Sequence, residues 1–468
     1  MRALRSLCLV VVVASSVAAR TPARAQQDTA AVHIGAVLVL GNKVTRERVV
    51  LRELTFREGD TLAGDVLAGA VRRSTENLLN TGLFNTVQLI QVPLGPGEVV
   101  VQVHLNERWY LWPAPILEVG GDPNFNTWWL TRDPGRLNWG AYLYRYNVRG
   151  MNETAYVLAQ FGYTHRFAGR YKVPFLERSG RWSLAVGGGY HQQREITVGT
   201  ADNVRVLFRP AEGNARTEWN AEAELGLRRA HDVRHAFRLG YRDARVVDTV
   251  AAGWPDHFND GRRRAAFVTL GYTVIRDRRD SRVFPRTGRY AELRVDRYGL
   301  GAADDPDNTV LYATVKEWWT PADRWTLAIG LRGRSTLGPP IPYFLQEGLG
   351  YAHYVRGYEY YVIDGQHFAL GRFNALFTLL RPRIQRLGFM PLEAFRTLHL
   401  ALYLNGFVDA GRVWDDRYAA VNPLANTWMH AAGLGLDLVT SYDQVLRAEG
   451  ALNGRGEPGF FLHFTQPF

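Results

Sequence analysis

The sequence predicts a transmembrane β-barrel of about sixteen antiparallel strands preceded by one small α/β module, on three observations. The first residues have the make-up of an export signal, period-two alternation of apolar and polar residues recurs from residue 137 to the end, and aromatic residues collect near the ends of the alternating segments.

Arg2 and Arg5, the apolar stretch from Leu7 to Ala14, and Ala23-Arg24-Ala25 ahead of Gln26 give a charged start, an apolar core and a small-x-small cleavage site, so residues 1–25 read as a secretory signal peptide. Ser15, Ser16 and Arg20 interrupt the run of about 20 apolar residues that a membrane anchor needs. Cys8, the only cysteine, lies inside this segment, so the mature chain has no thiol. Disulfides, Cys-ligated zinc, iron–sulfur clusters and cysteine nucleophiles are thereby excluded. No later apolar run is long enough for a spanning helix. The 468 residues carry 56 Lys and Arg against 45 Asp and Glu, with 22% charged and 12% aromatic, which fits neither a disordered chain nor a helical membrane protein. No clustered basic tract accompanies the positive balance, so nucleic acid is not an expected partner.

Residues 31–107 differ from all that follows. Val32 to Leu40 is a β-branched strand closed by Gly41-Asn42. Thr45 is expected to cap a short helix carrying Val49, Val50 and Leu54, and Leu62 to about Asn80 has helical spacing at Val66, Leu67, Ala70, Val71, Leu78 and Leu79. Two strands follow, Phe84 to Val92 and Glu98 to Leu105, around Pro93-Leu94-Gly95-Pro96-Gly97. This β-α-α-β-β order, with Gly41-Asn42, Thr81-Gly82-Leu83-Phe84 and Val99-Val100-Val101-Gln102-Val103, resembles a POTRA domain. The physical use of such a module is its sheet edge, where an extended client segment adds as one more strand. Residues 108–136, with Trp109, Trp112, Pro113, Pro115, Trp128 and Trp129, read as an aromatic linker.

In the 137–468 region, Trp219, Ala221, Ala223, Leu225 and Leu227 alternate with polar neighbours or glycine, as do Leu398, Leu400, Leu402 and Leu404 with His399, Tyr403 and Asn405. A soluble sandwich and a membrane barrel share this pattern. The export signal, the aromatics Trp128, Trp129, Trp318, Trp319, Trp325 and Trp428, and the lack of a covering helix layer favour the barrel. Sixteen strands are expected, at 137–148, 152–161, 165–175, 181–195, 203–210, 217–229, 235–248, 263–276, 288–298, 309–320, 324–336, 372–382, 397–411, 427–439, 444–452 and 459–468. An even count puts both barrel ends in the periplasm. The connection after the eleventh strand, 337–371, then lies on the outer face, and a loop of that length is expected to carry function.

That loop contains Tyr354-Val355-Arg356-Gly357-Tyr358. Around it stand Asp277-Arg278-Arg279-Asp280-Ser281 with Pro285 and Gly288, then Gly406-Phe407-Val408-Asp409-Ala410-Gly411, and the closing run Phe460-Phe461-Leu462-His463-Phe464-Thr465-Gln466-Pro467-Phe468. Together these resemble the BamA/TamA superfamily (the bacterial surface antigen family) of outer-membrane assembly factors and two-partner secretion transporters. The resemblance implies that the loop folds back into the barrel and that Arg356, beside Gly357, meets Asp409, near Gly411, as a lumen latch. The alternation agrees, since Asp409 shares the parity of His399, Tyr403 and Asn405. Asp277, Arg279, Asp280, Pro285 and Gly288 form a periplasmic turn with a structural role, and Phe460, Leu462, Phe464 and Phe468 form the C-terminal insertion strand. Gln466 and Pro467 depart from that strand's alternation. The chain has room for one POTRA module and shows no plug helix.

The sequence holds no Gly-x-Ser-x-Gly, His-Glu-x-x-His or phosphate-binding glycine loop. His231 and His235 read as solvated turn residues, and Asp304-Asp305-Pro306-Asp307-Asn308 as a solvated outer loop. No catalytic residue, cofactor or metal ligand is therefore expected. The function expected is assisted insertion or translocation of other polypeptides at the bacterial outer membrane. Its partners are outer-membrane lipid, periplasmic clients at the POTRA sheet edge and accessory assembly proteins, and the weak seam lies between 137–148 and 459–468. A passive channel and a barrel-type lipid or peptide hydrolase stay open as alternatives.

Overall fold

The structure is a computed structural model and describes residues 30–120, 134–177, 179–302 and 305–464. The expected signal peptide, Trp128, Trp129, Asp304, Gln466, Pro467 and Phe468 lie outside the described residues.

The N-terminal module runs β1 (Ala31–Leu40), α1 (Glu47–Leu51), β2 (Thr61–Ala63), α2 (Gly64–Leu79), β3 (Phe84–Gly95) and β4 (Glu98–Glu107). A three-residue strand, too short to leave a sequence signal, is added to the expected order. The sheet order is β2-β1-β4-β3, with β1 parallel to β4. The helices bury Val49, Val50, Leu67 and Leu78 against Ile34, Val101 and Val103 of the sheet. Thr45 does not cap α1: Arg46 holds that position without a side-chain bond. The Thr45 hydroxyl instead hydrogen-bonds Tyr110 Oη at 3.1 Å and accepts from Asn147 Nδ2 at 2.9 Å, fastening the module to a barrel turn.

The barrel sheet has sixteen strands, each antiparallel to its neighbours: β5 (Leu111–Val119), β6 (Leu137–Tyr146), β7 (Thr154–Gly162), β8 (Thr164–Val173), β9 (Trp182–Gln193), β12 (Arg216–Arg228), β13 (Val233–Val246), β14 (Arg264–Asp277), β15 (Gly288–Tyr298), β16 (Asn308–Ala322), β17 (Trp325–Leu337), β18 (His367–Arg386), β19 (Thr397–Trp414), β20 (Trp428–Thr440), β21 (Val445–Asn453) and β22 (Pro458–His463). β10 (Ile196–Ala201) and β11 (Val204–Phe208) pair as a separate hairpin. The expected total therefore holds with a different membership. Leu111–Val119, read as linker, is the first strand, and the segment read as a strand at 203–210 is half of the extra hairpin. One strand gained and one set aside leave the parity after the eleventh strand unchanged.

The burial pattern is that of a membrane barrel. Leu117 is 78% exposed, Trp219 61% and Val157 58%, while Asp409, Asn405 and Asp437 on the inner face are 0% exposed. Apolar residues turned outward and charges turned inward suit a sheet whose outer medium is lipid. Trp319, Trp325 and Trp428 lie on the outer face, but Trp318 turns inward and is buried. No described helix is long and apolar enough to cross a membrane.

Packed segments lie at both mouths. At one end the module sits on the turns: Arg228 at the end of β12 forks onto Glu53 at 2.5 and 2.7 Å, Arg108 onto Asp443 at 2.9 and 3.0 Å, and the Arg46 N–H donates to the Gly150 carbonyl at 2.9 Å. At the far end the β10–β11 hairpin, α3 (Asp248–Gly253) and the 338–366 loop share an apolar cluster that includes Val198, Val250, Phe258 and Ile341. Asn203, fully buried, binds the loops together: its N–H donates to Asn422 Oδ1, its Oδ1 accepts from the Leu424 N–H and its carbonyl from the Val362 N–H, all at 2.8 to 2.9 Å.

Candidate functional site

The 338–366 connection folds back into the barrel against the wall made by β18 to β21, and Arg356 is buried within it. Its Nε and Nη2 donate to Asp409 Oδ2 and Oδ1 at 2.9 and 2.6 Å, a bidentate pair, and its backbone N–H donates to Oδ2 at 3.1 Å. Nη2 also reaches Asn374 Oδ1 at 2.7 Å and Nη1 reaches Glu449 Oε1 at 3.3 Å. The guanidinium carbon lies 3.8 Å from the centre of the Phe407 ring, so the cation stacks on an aromatic face as well. All three nitrogens of the fork are engaged, two by Asp409, one of these also by Asn374, and the third by Glu449, which suits arginine and would not suit lysine.

Gly411 makes the close approach of the loop possible. A Cβ there would stand 2.7 Å from Val355 Cγ2 and 2.9 Å from Leu349 Cδ1, so any side chain would push the loop off β19. Gly357 follows Arg356, and its carbonyl accepts from Asn453 Nδ2 at 3.0 Å. Arg356, Gly357, Asp409 and Gly411 therefore stand at one place. Sequence reading missed the wider network: Glu449, Asn374 and Phe407 share Arg356, Arg372 Nε lies 3.4 Å from Asp409, and Arg447 pairs with Asp437 at 2.7 Å. Inward parity on β18 to β21 was the signal available for these residues.

The turn between β14 and β15 is closed by its own carboxylates and is also tied to the N-terminal module. Asp277 accepts from Arg279 Nε and Nη2 at 2.8 and 2.9 Å, and Asp280 accepts from the backbone of Ser281 and Arg286 at 2.8 and 3.1 Å. The Asp280 carbonyl accepts from Asn80 Nδ2, and Arg282 donates back to Asn80, so the turn is bound to the C-terminus of α2. In the same turn, next to Pro285, Phe284 packs against Leu376 of β18, Ala401 and Tyr403 of β19 and Val445 of β21. Gly288 closes the turn with φ +111.

At the C-terminus, Phe460, Leu462 and Phe464 face outward at 59% exposure or more, whereas Phe461 and His463 face the lumen loop. The sheet ends at β5 and β22, and among the described residues no ladder joins them. The terminal strands of the sheet are thus Leu111–Val119 and Pro458–His463, and the segment 137–148, expected at that edge, lies one strand in. Pro113 and Pro115 each lack an N–H donor, and such residues are tolerated at the edge of a sheet. Of the remaining candidates, His231 Nε2 hydrogen-bonds the Arg52 carbonyl at 3.0 Å and His235 Nδ1 the Tyr272 hydroxyl at 2.9 Å, each on its own. Asp305 accepts from the N–H groups of Leu300 and Ala302 and closes its own turn.

A cavity of about 440 Å³ between the module and the barrel is lined by Lys172, Arg234 and Arg282 together with Glu53 and Glu224.

The fold and the lumen site define the class: a transmembrane barrel of sixteen strands carrying one POTRA module and a loop folded into its lumen. Residues 32–108 match the POTRA family, described as surface antigen variable number repeat. Among solved structures, BamA from Haemophilus ducreyi lacking POTRA domains 1–3 aligns with 92% of this chain and 83% of its own, at 15% identity and a TM-score of 0.52. CdiB from Escherichia coli aligns over 92% and 75% at 14% identity and a TM-score of 0.52. CdiB from Acinetobacter baumannii aligns over 92% and 73% at 12% identity and a TM-score of 0.51. No curated protein matches the chain. In fold the chain is like BamA and CdiB, a POTRA module followed by a sixteen-stranded barrel.

Proposed function

We propose that the protein resides in the bacterial outer membrane with its POTRA module in the periplasm, and assists the insertion or translocation of other polypeptides without covalent chemistry. The likeness in fold to BamA and CdiB supports a protein that handles polypeptides. The observation that carries the mechanism is the loop latched inside the lumen, beside the two terminal strands of the sheet, β5 and β22, which no ladder joins among the described residues. The latch at Arg356 and Asp409 holds the loop in place, the outer loops are sewn together through Asn203, and the module covers the other mouth. The β5–β22 edges are then the place where a client strand can pair.

In this reading the POTRA sheet offers β3 as its long open edge, with Val87 to Val92 available and Pro93 blunting the far end. A client segment held there gains main-chain hydrogen bonds irrespective of its sequence. The passive-channel alternative predicts a steady high conductance that loop deletion hardly changes, whereas a latched lumen loop predicts a low conductance that rises when the loop is removed.

The test is a disulfide across the seam. The only cysteine is Cys8, so a pair introduced one on Leu111–Val119 and one on Pro458–His463 has no competing thiol in the cleaved protein. Oxidation is expected to abolish client insertion or secretion and reduction to restore it. Activity that persists with the seam covalently closed would rule out a lateral route.

A further inference from the structure

The latch network continues toward the last strand and ends in three atoms that no donor or acceptor satisfies. His463 of β22 faces Glu449 of β21 and Glu359 of the lumen loop. Its Nε2 is 3.3 Å from Glu359 Oε1 and 3.6 Å from Glu449 Oε2, and all three atoms lie within 4.8 Å of one another. Each is shielded from solvent, and none has a hydrogen-bond partner. The side chain of Glu449 is 1% exposed. Its Oε1 is held by Arg356 and Arg447, both at 3.3 Å, which leaves Oε2 turned toward Glu359 and His463. A buried carboxylate oxygen without a donor is costly, and a single Nε2–H would serve only one of the two oxygens.

We propose that Glu359, Glu449 and His463 bind a divalent transition-metal ion, with zinc as the best-matched probe. Imidazole and carboxylate together suit zinc. A tetrahedral zinc with bonds of about 2.0 to 2.1 Å sets its ligand atoms about 3.3 Å apart, close to the two distances from Nε2. Three protein ligands leave the fourth position to water, as in open zinc sites. Arg356 and Arg447 fix the orientation of Glu449 through Oε1, the part that outer-shell groups play around metal ligands. The ligands are scattered over positions 359, 449 and 463, so no spacing motif marks them in the sequence. The three come from the lumen loop, the barrel wall and the final strand, so a bound ion staples the loop to one side of the seam.

The experiment uses the full cleaved protein in detergent, purified without a polyhistidine tag, with bound zinc measured after dialysis against micromolar zinc and by competition with a chromophoric chelator. One zinc per chain is expected. His463→Ala and Glu359→Gln should each weaken binding by at least the roughly 10- to 100-fold typical of lost supporting groups. Zinc should also raise the temperature at which the barrel band shifts on a gel in wild type and not in either variant. Glu359 lies in the loop, so Glu359→Gln carries the test if His463→Ala fails to fold. The absence of zinc from the wild-type protein would overturn the proposal. So would binding by the variants equal to wild type, which would place the ion at another of the 12 histidines.

Discussion

Phe284 lies nearly flat on Tyr403, with ring centroids 4.4 Å apart and planes at 24°, although the first belongs to the turn between β14 and β15 and the second to β19. Leu376, Ala401 and Val445 complete the contact. The same turn is bound to Asn80 at the end of α2, so it forms a strut from the POTRA helix to the inner face of β18, β19 and β21.

Phe284→Ala removes the end of that strut. The expected cost is about 3–5 kcal/mol, as for other buried aromatics, measured as a shift in the urea midpoint of barrel unfolding. Combined with Tyr403→Ala in a double-mutant cycle, the pair should show a coupling of about 0.5–1.5 kcal/mol. Zero coupling would mean the two rings only share a space.

Arg356→Ala leaves Asp409 and Glu449 as buried carboxylates without their shared cation. A destabilisation of about 3–5 kcal/mol is expected, with loss of insertion or secretion activity and a rise in single-channel conductance. Arg356→Lys should recover little, because one ammonium cannot replace the fork. A folded and fully active Arg356→Ala protein would show that the latch has no role in function.

The module should loosen from the barrel in acid. Burial alone would raise the Glu53 carboxyl, but the Arg228 fork, aided by Arg52 and His231, outweighs it and holds Glu53 below the ordinary carboxylate range. A group depressed in the folded state stabilises above its unfolded pKa and loses that contribution as pH falls through the folded value. Protease sensitivity of the POTRA–barrel junction should therefore be flat around neutrality and rise below the normal glutamate range. Glu53→Gln should be sensitive at every pH.

Gly288 takes φ +111, and a Cβ there would come within 2.2 Å of the Arg278 carbonyl. Gly288→Ala is expected to displace the β14–β15 turn and with it the Phe284 contact, lowering the yield of heat-modifiable barrel. Val315→Ala, on the lipid-facing side of β16, serves as the control and should fold normally.

Most of the architecture is written in alternation, and the errors have local causes. Leu111–Val119 carries Pro113 and Pro115, which argue against a strand in mid-sheet; an edge strand escapes that rule, and nothing in the local sequence says which strand is the edge. Val204–Phe208 has genuine strand composition, but its partner is Ile196–Ala201 and not the barrel, a choice made by tertiary packing beneath the 338–366 loop. Thr45 resembles a cap, yet its hydroxyl is claimed by Tyr110 and Asn147, the latter 102 positions away. The inward parity of Asp409 was visible because a barrel wall admits only two orientations. The strut at Phe284 and the grouping of Glu359 with Glu449 and His463 join segments remote in sequence, and no periodicity records them.

The buried Asn203 also determines where the outer surface will accept foreign sequence. Barrel loops are usually the places to graft a reporter epitope, because they hang independently of each other. Here a tag placed at the 202–203 tip would unfasten three connections at once, whereas Ala211 to Gly213, exposed and free of that stitching, offers the graft point for tracking the protein on living cells.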